Sequence, residues 1–378
     1  MSRERSPDGR HAVLLDTRLM GKGVTGIGRY IANLLRQFPA INPPDLRFRA
    51  LGIADQPVIE MDAAVLTGWG SLPSPRGMGQ HVRLPFEIAR LRPALFHYTN
   101  FDPPPLLPRP FVVTCHDIEP LVKPELFRRS IVAYYAVFAR FMKRAATIIA
   151  ISENTKKDVV ERLGIPADRV TVIYDAADEP FCPCQDASRQ TEVRARYRLP
   201  ARYVLYVGNT MPHKNLPRLL QAMRRVCDRH EDVRLLLVGA PDRYRDAVVE
   251  QIRMLRMEPN VRFLGRVPES DLPLLYQMAS VFVMPSLYEG FGLPLVEALA
   301  CGAAVVTSNV TSLPEIVGEA GLRFDPGDVE AMAEAIWQVL ESPSVAESLR
   351  KAALARAALF SWRRCAEEHV RVYREVLR

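Results

Sequence analysis

Short, continuous apolar runs recur along this chain, and stretches long enough for a helix separate them. The runs lie at Ala12–Leu15, Phe48–Ile53, Ala94–Tyr98, Phe111–Cys115, Thr147–Ile151, Val170–Tyr174, Tyr203–Val207, Val233–Val238, Val261–Leu264, Val281–Met284 and Ala303–Thr307. Apolar and polar residues do not alternate within them, which is typical of parallel strands that are covered on both faces. The pattern therefore predicts an α/β protein with parallel sheets.

Two such sets of runs in 378 residues predict two doubly wound, Rossmann-like domains. The stretch from Asp175 to Pro200 is polar, contains prolines and shows little periodicity, so it marks the boundary. We place the first domain at residues 1–180 and the second at residues 198–360. A last helix, residues 363–378, follows a break at Phe360-Ser-Trp362.

Composition narrows the class of protein. Hydrophobic residues make up 48% of the chain and the formal net charge is +7, so we expect a globular protein that favours anionic partners. No nucleic-acid motif is present, and we expect no nucleic-acid partner. The six cysteines lack metal or disulfide spacing, residues 1–10 are polar, and no apolar run is long enough for a bilayer. These features predict a cytoplasmic protein.

The segment from Pro285 to Ala298 carries the strongest functional signal. It reads PSLYEGFGLPLVEA and follows a predicted buried strand. Gly290 and Gly292 permit close backbone approach, and the loop opens a helix whose N-terminus favours an anion such as a diphosphate. Glu297 falls in the first turns of that helix, where its carboxylate can accept hydrogen bonds from ribose hydroxyls. Glu289 precedes the loop, beyond the carboxyl end of the strand.

The Glu289–Glu297 segment resembles the Glu-x7-Glu motif of retaining family 4 glycosyltransferases with the GT-B fold. The resemblance implies two Rossmann-like domains that face each other across a cleft, with the donor site in the second. It also implies that Glu289 faces the transferred sugar and that Glu297 binds the nucleotide ribose. The residues between them would contact the sugar and the phosphates, and those that we assign to donor binding are Gly290, Phe291, Gly292 and Leu293.

Two segments of the first half fit the same family. A loop with Gly23 and Gly26 precedes a helix that starts near Ile27, and it resembles the glycine-rich first loop of the family; a plain flexible loop is the alternative. His116 follows the strand Phe111–Cys115, where a histidine can hydrogen-bond a sugar hydroxyl. The resemblance implies that His116 contacts the donor sugar, whereas a structural role is the alternative.

In the second half, Gly208 and Lys214 follow the first strand, where a lysine can meet a phosphate. The family usually has a basic pair here, and Asn209 or Thr210 stands where its arginine would be. The resemblance further implies that the backbones of Phe263 and Leu264 line the base pocket. We therefore predict His116, Glu289 and Lys214 as catalytic residues, together with the donor-binding set that also includes Gly23, Gly26, Gly208 and Glu297.

Residues 126–145 combine an apolar and aromatic stripe with flanking arginines and lysines. Such a helix can lie on anionic lipid, which would bring the enzyme to the inner face of the membrane. The alternative is a helix that packs on the sheet and leaves its basic face in water.

The sequence thus predicts a retaining glycosyltransferase that needs neither metal nor cofactor, because no acidic pair is placed to hold a divalent ion. Its expected partners are a nucleotide-sugar donor and a glycan or lipid-linked acceptor of cell-envelope polysaccharide synthesis. The resemblance points to GDP-mannose, with a UDP-glucose-type donor as the alternative. The rival from another enzyme class is a nicotinamide-dependent oxidoreductase, which would carry GxGxxG after a strand and an acidic residue about twenty positions further on. An inactive nucleotide-sugar-binding module remains open.

Overall fold

The computed structural model describes residues 9–20, 26–52 and 78–378. In chain order, the first elements are β1 (His11–Asp16), α1 (Gly26–Ile41), β2 (Leu46–Leu51), α2 (Gln80–Leu91), β3 (Leu95–Tyr98), β4 (Phe111–Cys115), α3 (Glu119–Val122), α4 (Arg129–Phe138), β5 (Thr147–Ala150), α5 (Glu153–Leu163) and β6 (Val170–Val172). The elements that follow are α6 (Ala187–Arg196), β7 (Arg202–Val207), α7 (Leu216–Arg229), β8 (Val233–Val238), α8 (Arg245–Met254), β9 (Val261–Gly265), α9 (Leu272–Met278), β10 (Val281–Met284), α10 (Leu293–Ala300), β11 (Val305–Ser308), α11 (Leu313–Val317), β12 (Gly321–Phe324), α12 (Val329–Glu341), α13 (Pro343–Ala357) and α14 (Trp362–Leu377).

The chain forms two compact units. Unit 1 comprises Met1–Asp175 with Ser361–Arg378, and unit 2 comprises Ala176–Phe360. The polar stretch after Asp175 belongs to unit 2 and contains α6, a helix that the sequence did not predict because its only buried side chain is Val193. Asp186 caps α6 by accepting hydrogen bonds from the backbone N–H groups of Ser188 and Arg189.

Unit 1 contains a parallel six-stranded sheet with the order β2-β1-β3-β4-β5-β6. The strand order reverses between β1 and β3, and ligands in open α/β sheets gather at the carboxyl ends of strands at such a switch point. Helix α14 returns to this unit from the far end of the chain and packs against α1. Ser361 caps α14 by accepting a hydrogen bond from Arg364.

Unit 2 contains a second parallel six-stranded sheet, ordered β12-β11-β10-β7-β8-β9. Its switch point lies between β10 and β7, so the loops that follow these two strands meet there. The stripe Leu216, Leu219, Leu220 and Met223 of α7 is buried against the sheet. Strand β12 was missed by the sequence reasoning because it is a short edge strand whose first two residues are only partly buried and whose third is exposed.

Candidate functional site

The loops after β7 and β10 are joined at the switch point of unit 2. Asn215 adopts a left-handed conformation with φ of 58° and donates its side-chain amide to the carbonyl oxygens of Pro285 and Pro326. The Leu287 N–H donates to the carbonyl oxygen of His213 at 2.7 Å. These bonds fix the backbone on both sides of the predicted catalytic residues.

Lys214 and Glu289 form an ion pair at this point. Lys214 Nζ lies 2.7 Å from Glu289 Oε1, and the two side chains are 14% and 11% exposed. Ser286 Oγ donates to the same carboxylate oxygen at 2.6 Å. The structure therefore places a shielded cation and anion side by side, and the carboxylate orients the ammonium group.

Backbone geometry explains the glycine at the start of α10. Gly292 has a φ of 97°, and a Cβ atom on it would lie 3.0 Å from Leu313 Cδ2. Ser312 Oγ donates to the carbonyl oxygens of Glu289 and Phe291 at 3.0 Å each, which holds the loop against α11. The loop therefore delivers the chain to the N-terminus of α10, the helix end that favours an anion. Leu293 is its first residue and Gly290 lies between the two held carbonyl groups.

Glu297 lies in α10 and is 3% exposed. Its Oε2 atom accepts a hydrogen bond of 2.8 Å from the Tyr276 hydroxyl. Tyr276 is a buried residue of α9. The sequence reasoning did not identify it because it lies 21 residues before Glu297 and no local motif connects the two. Tyr276 orients the predicted ribose-binding carboxylate.

A concavity opens beside the switch point, at the carboxyl ends of β7, β8 and β9. It encloses about 270 Å³, solvent included, and Gly208, Gly239, Arg245 and Phe263 are among the residues that line it. A Cβ atom on Gly239 would lie 2.0 Å from the carbonyl oxygen of Gly208, so this close approach requires glycine. Phe263 and its neighbour Leu264 lie in β9, as the sequence predicted.

Asn209 or Thr210 stands where the family usually has a second basic residue, and Thr210 bonds to a carboxylate there. Asp242 accepts hydrogen bonds from the Thr210 backbone N–H at 2.6 Å and from the Thr210 hydroxyl. Burial raises the pKa of Asp242, but the hydrogen bonds from Thr210 and Tyr244 outweigh it and leave the pKa below its usual value. Thr210 therefore ties the loop after β7 to the loop after β8 without adding a positive charge.

In unit 1, His116 follows β4 and is 7% exposed. Its ring meets the Tyr30 ring edge-on at 4.9 Å, and Nε2 has no hydrogen-bond partner among the residues that the structure describes. Burial lowers the pKa of His116 to about 4, although a hydrogen bond to the Thr99 backbone raises it. The imidazole is therefore neutral near pH 7, and its buried Nε2 atom is free of protein hydrogen bonds among the described residues.

Behind His116 lies a buried polar chain that joins the sheet to α1 and α14. The Tyr30 hydroxyl lies 2.7 Å from both Thr114 Oγ1 and His369 Nε2. His97 bonds to Thr114 and to Tyr373, each at 2.7 Å. The sequence reasoning missed this network because its members are far apart in the chain and none belongs to a motif.

The switch point of unit 1 holds a second network. Asp16 at the end of β1 binds the buried Arg18 guanidinium through both carboxylate oxygens. Gln80, Tyr98 and Tyr134 each donate a hydrogen bond to Asp102. Burial raises the pKa of Asp102 to about 6, against the lowering effect of the hydrogen bonds from the two tyrosines.

Two further predictions concern unit 1. Gly23 lies outside the described residues, whereas Gly26 is the exposed first residue of α1. In the basic segment 126–145, the aromatic stripe faces its own unit: Tyr135 stacks on Phe101 at 3.8 Å and Phe138 on His81 at 3.9 Å. The structure thus favours packing for this stripe, and it does not show a membrane contact.

None of the described helices is both long and apolar enough to cross a bilayer. Within residues 9–20, 26–52 and 78–378, no three His, Cys, Asp or Glu side chains come together as metal ligands would.

Comparison with known protein families agrees with this geometry. Residues 190–356 match the model described as "Glycosyl transferases group 1", and residues 24–179 match "Glycosyltransferase Family 4". The chain belongs to the family 4 glycosyltransferases. This confirms the predicted family, the GT-B fold class and the assignment as a sugar-transferring enzyme.

Two relatives and one solved structure illustrate the likeness. The O-antigen chain mannosyltransferase B of Escherichia coli is 36% identical over 283 residues, which cover 74% of each chain. The serotype-specific mannosyltransferase WbdA of Escherichia coli is 32% identical over 70% of this glycosyltransferase, which spans only 33% of that relative's length. A sucrose-phosphate synthase structure from Thermosynechococcus elongatus superimposes with a TM-score of 0.77 at 21% identity, covering 97% of this chain and 99% of its own.

Proposed function

We propose that this glycosyltransferase moves mannose from GDP-mannose to a glycan or lipid-linked acceptor in surface polysaccharide assembly, with retention of the anomeric configuration. The observation that carries the proposal is the Lys214–Glu289 pair, set at the switch point of unit 2 beside the N-terminus of α10. The names of the mannosyltransferase relatives support the choice of sugar and of pathway.

In this reaction the bond between the anomeric carbon and the diphosphate oxygen breaks, and a bond to the acceptor hydroxyl oxygen forms on the same face. The acceptor proton passes to the departing diphosphate. Lys214 and the first N–H groups of α10 stabilise the charge on the leaving group, which is why we propose that no metal is needed. Glu289 orients Lys214 and faces the positive charge that develops on the sugar ring. Glu297 holds the ribose.

His116 contributes from unit 1 in this proposal. Because burial keeps its pKa near 4, the neutral ring can bond to a sugar hydroxyl near pH 7 without placing a second cation at the site. Its unpartnered Nε2 atom supports this role.

A thermal-shift series with GDP, UDP, ADP and NAD tests the donor site. Glu297→Gln and Tyr276→Phe are compared with Glu347→Gln on the exposed surface of α13. Ligand at a hundredfold over Kd adds about 2.7 kcal/mol to the free energy of unfolding. Stabilisation by GDP that the first two variants lose and the control keeps supports the proposal. Stabilisation by UDP alone replaces the donor with a UDP-sugar, and stabilisation by NAD alone overturns the donor site.

Turnover separates an enzyme from an inactive binding module. The protein is incubated with GDP-mannose and a fluorescent α-mannoside acceptor, and the new linkage is assigned by NMR. An α-linked product supports retention, and a β-linked product overturns it. GDP binding without any transfer to this acceptor or to lipid-linked glycan extracts would favour the binding module.

Contact with a membrane through residues 126–145 stays a prediction. Flotation with vesicles that contain or lack anionic lipid measures it, and Arg140→Glu on the exposed side of this segment is the variant that should reduce binding.

A further inference from the structure

We infer that Arg245 reads the nucleotide base and selects guanine. The inference rests on the proposed function, since it assigns a specificity residue to the same donor site. Arg245 is the first residue of α8, and its side chain lines the concavity at the carboxyl ends of β7, β8 and β9.

The guanidinium group of Arg245 is held in place but left without polar partners. Its central carbon lies 4.6 Å from the centroid of the Phe263 ring, and the side chain is half-buried. Among the described residues it makes no side-chain hydrogen bond or ion pair. The nearest carboxylate in the same loop, that of Asp242, is already bonded to Thr210 and to the Tyr244 N–H. Stacking on an aromatic ring orients the planar guanidinium and leaves its edge free to donate.

The position of Arg245 suits a base rather than a phosphate. It lies in the concavity at the carboxyl ends of β7, β8 and β9, which Phe263 also lines, whereas Lys214 is paired with Glu289 in the loop that leads to α10. At Gly208 and Gly239 the backbones approach each other so closely that a Cβ atom on Gly239 could not be accommodated. We infer that a flat heterocycle lies in the open part of this concavity, beside the Arg245–Phe263 pair.

The chemistry of the guanidinium determines which base fits. Arginine has only donors, and its two parallel N–H groups match a base edge with two adjacent acceptors. Guanine offers O6 and N7 on one edge, whereas adenine places an amino donor beside N7. Uracil has two carbonyl acceptors, O2 and O4, but the N3–H donor separates them, so a fork meets only one acceptor at a time. Arg245 should thus favour guanine over uracil, and uracil over adenine.

Isothermal titration calorimetry with GDP, UDP and ADP tests the inference on the intact protein. For the wild type we expect the tightest binding for GDP. In Arg245→Ala, GDP affinity should fall about 5- to 140-fold while ADP affinity changes little, because one bidentate base contact contributes roughly 1–3 kcal/mol. Arg245→Lys keeps the charge but lacks the fork, so it should lose most of the preference for GDP over ADP.

Arg243→Ala is the matched control. It removes the same charge two residues away, from an exposed side chain over Tyr244 that does not line the concavity, and it should keep the GDP preference. Equal losses for all three nucleotides in Arg245→Ala would show that Arg245 meets the phosphates and would overturn the inference while leaving the proposed function intact. A wild type that binds none of the nucleotides would overturn both.

Discussion

The two units place polar side chains at equivalent points of similar sheets but treat them differently. At the switch point of unit 1, the Asp16–Arg18 pair is almost wholly buried, with side chains 3% and 0% exposed, and its neighbours Gln80 and Asp102 bond to each other. At the switch point of unit 2, the Lys214–Glu289 pair keeps 14% and 11% of its surface exposed. The first pair is thus shielded from solvent almost completely, whereas the second keeps some surface in contact with solvent.

A second contrast concerns the pKa values of the buried histidines and carboxylates in the two units. Unit 1 buries the histidines 81, 97, 116 and 369, and burial lowers the pKa of each, to about 4 for three of them. In unit 2, burial also lowers the pKa of His213, to about 4. The carboxylates of Asp242 and Asp271 in this unit have lowered pKa values, because their hydrogen bonds outweigh the effect of burial. Among these groups, buried neutral histidines are the more common in unit 1, and ionised carboxylates are the more common in unit 2.

The largest expected effect is therefore a separate response to acid. A histidine with a lowered pKa takes up its proton more readily in the unfolded state, so unit 1 should lose stability as the pH falls from 6.5 to 4. Asp102, whose raised pKa acts in the opposite direction over the same range, offsets one histidine. The net loss is at most about 4 kcal/mol for each pH unit. In unit 2 one histidine, His213, acts in the same way, and the lowered carboxylates lose their contribution only below about pH 4, so unit 2 should lose less stability over this range.

Hydrogen exchange with mass spectrometry at pH 7, 6 and 5 follows both units at once, after correction for the intrinsic rate. Peptides from β3, β4 and α14 should lose protection before peptides from β7, β8 and β10. Simultaneous loss in both units would contradict the contrast.

Glu289→Gln should lower the rate of sugar transfer about 100- to 1000-fold, the range found for groups that stabilise charge in a transition state. Glutamine is nearly isosteric, but it lacks the charge that orients Lys214. Initial rates with GDP-mannose measure the effect, and Glu347→Gln should transfer at the wild-type rate. A Glu289→Gln protein that is as active as the wild type would remove Glu289 from the site.

Tyr30→Phe should destabilise unit 1 by about 1–3 kcal/mol, because it leaves two buried partners, Thr114 and His369, short of a hydrogen bond. Tyr203→Phe is the counterpart in unit 2, where the hydroxyl donates only to the Leu275 carbonyl oxygen. Urea unfolding followed by hydrogen exchange compares the two. If both variants lower the free energy of unfolding by the same amount, the network behind His116 contributes no more stability than a single hydrogen bond does.

The smallest effect is expected at the surface of unit 1. Arg374 of α14 binds Asp45 through two hydrogen bonds of 2.9 and 2.6 Å, but the two side chains are 41% and 44% exposed. Arg374→Ala should change the free energy of unfolding by no more than about 1 kcal/mol, and less in high salt. A larger loss, measured by urea unfolding, would mean that this pair rather than the buried network holds α14.

The sequence predicted features whose residues lie close together in the chain, and it did not predict contacts between distant residues. Strands such as Phe111–Cys115 and Val281–Met284 can be predicted from the sequence because buried parallel strands are continuously apolar. The loop from Glu289 to Gly292 is equally visible, since its chemistry lies in consecutive residues. Tyr276 and the Tyr30–His369 contact were invisible, because they join residues 21 and 339 positions apart and depend on how helices pack.

The return of α14 to unit 1 has a consequence for biosynthesis. The ribosome completes all of unit 2, through Phe360, before it makes the helix that supplies His369 and Tyr373 to the core of unit 1. The second unit in the chain can therefore reach its final fold first, while Tyr30 and His97 of the first unit still lack the partners that α14 supplies. Nascent chains that carry a stalling sequence after residue 378, or after residue 360, would reveal this reversed order of maturation.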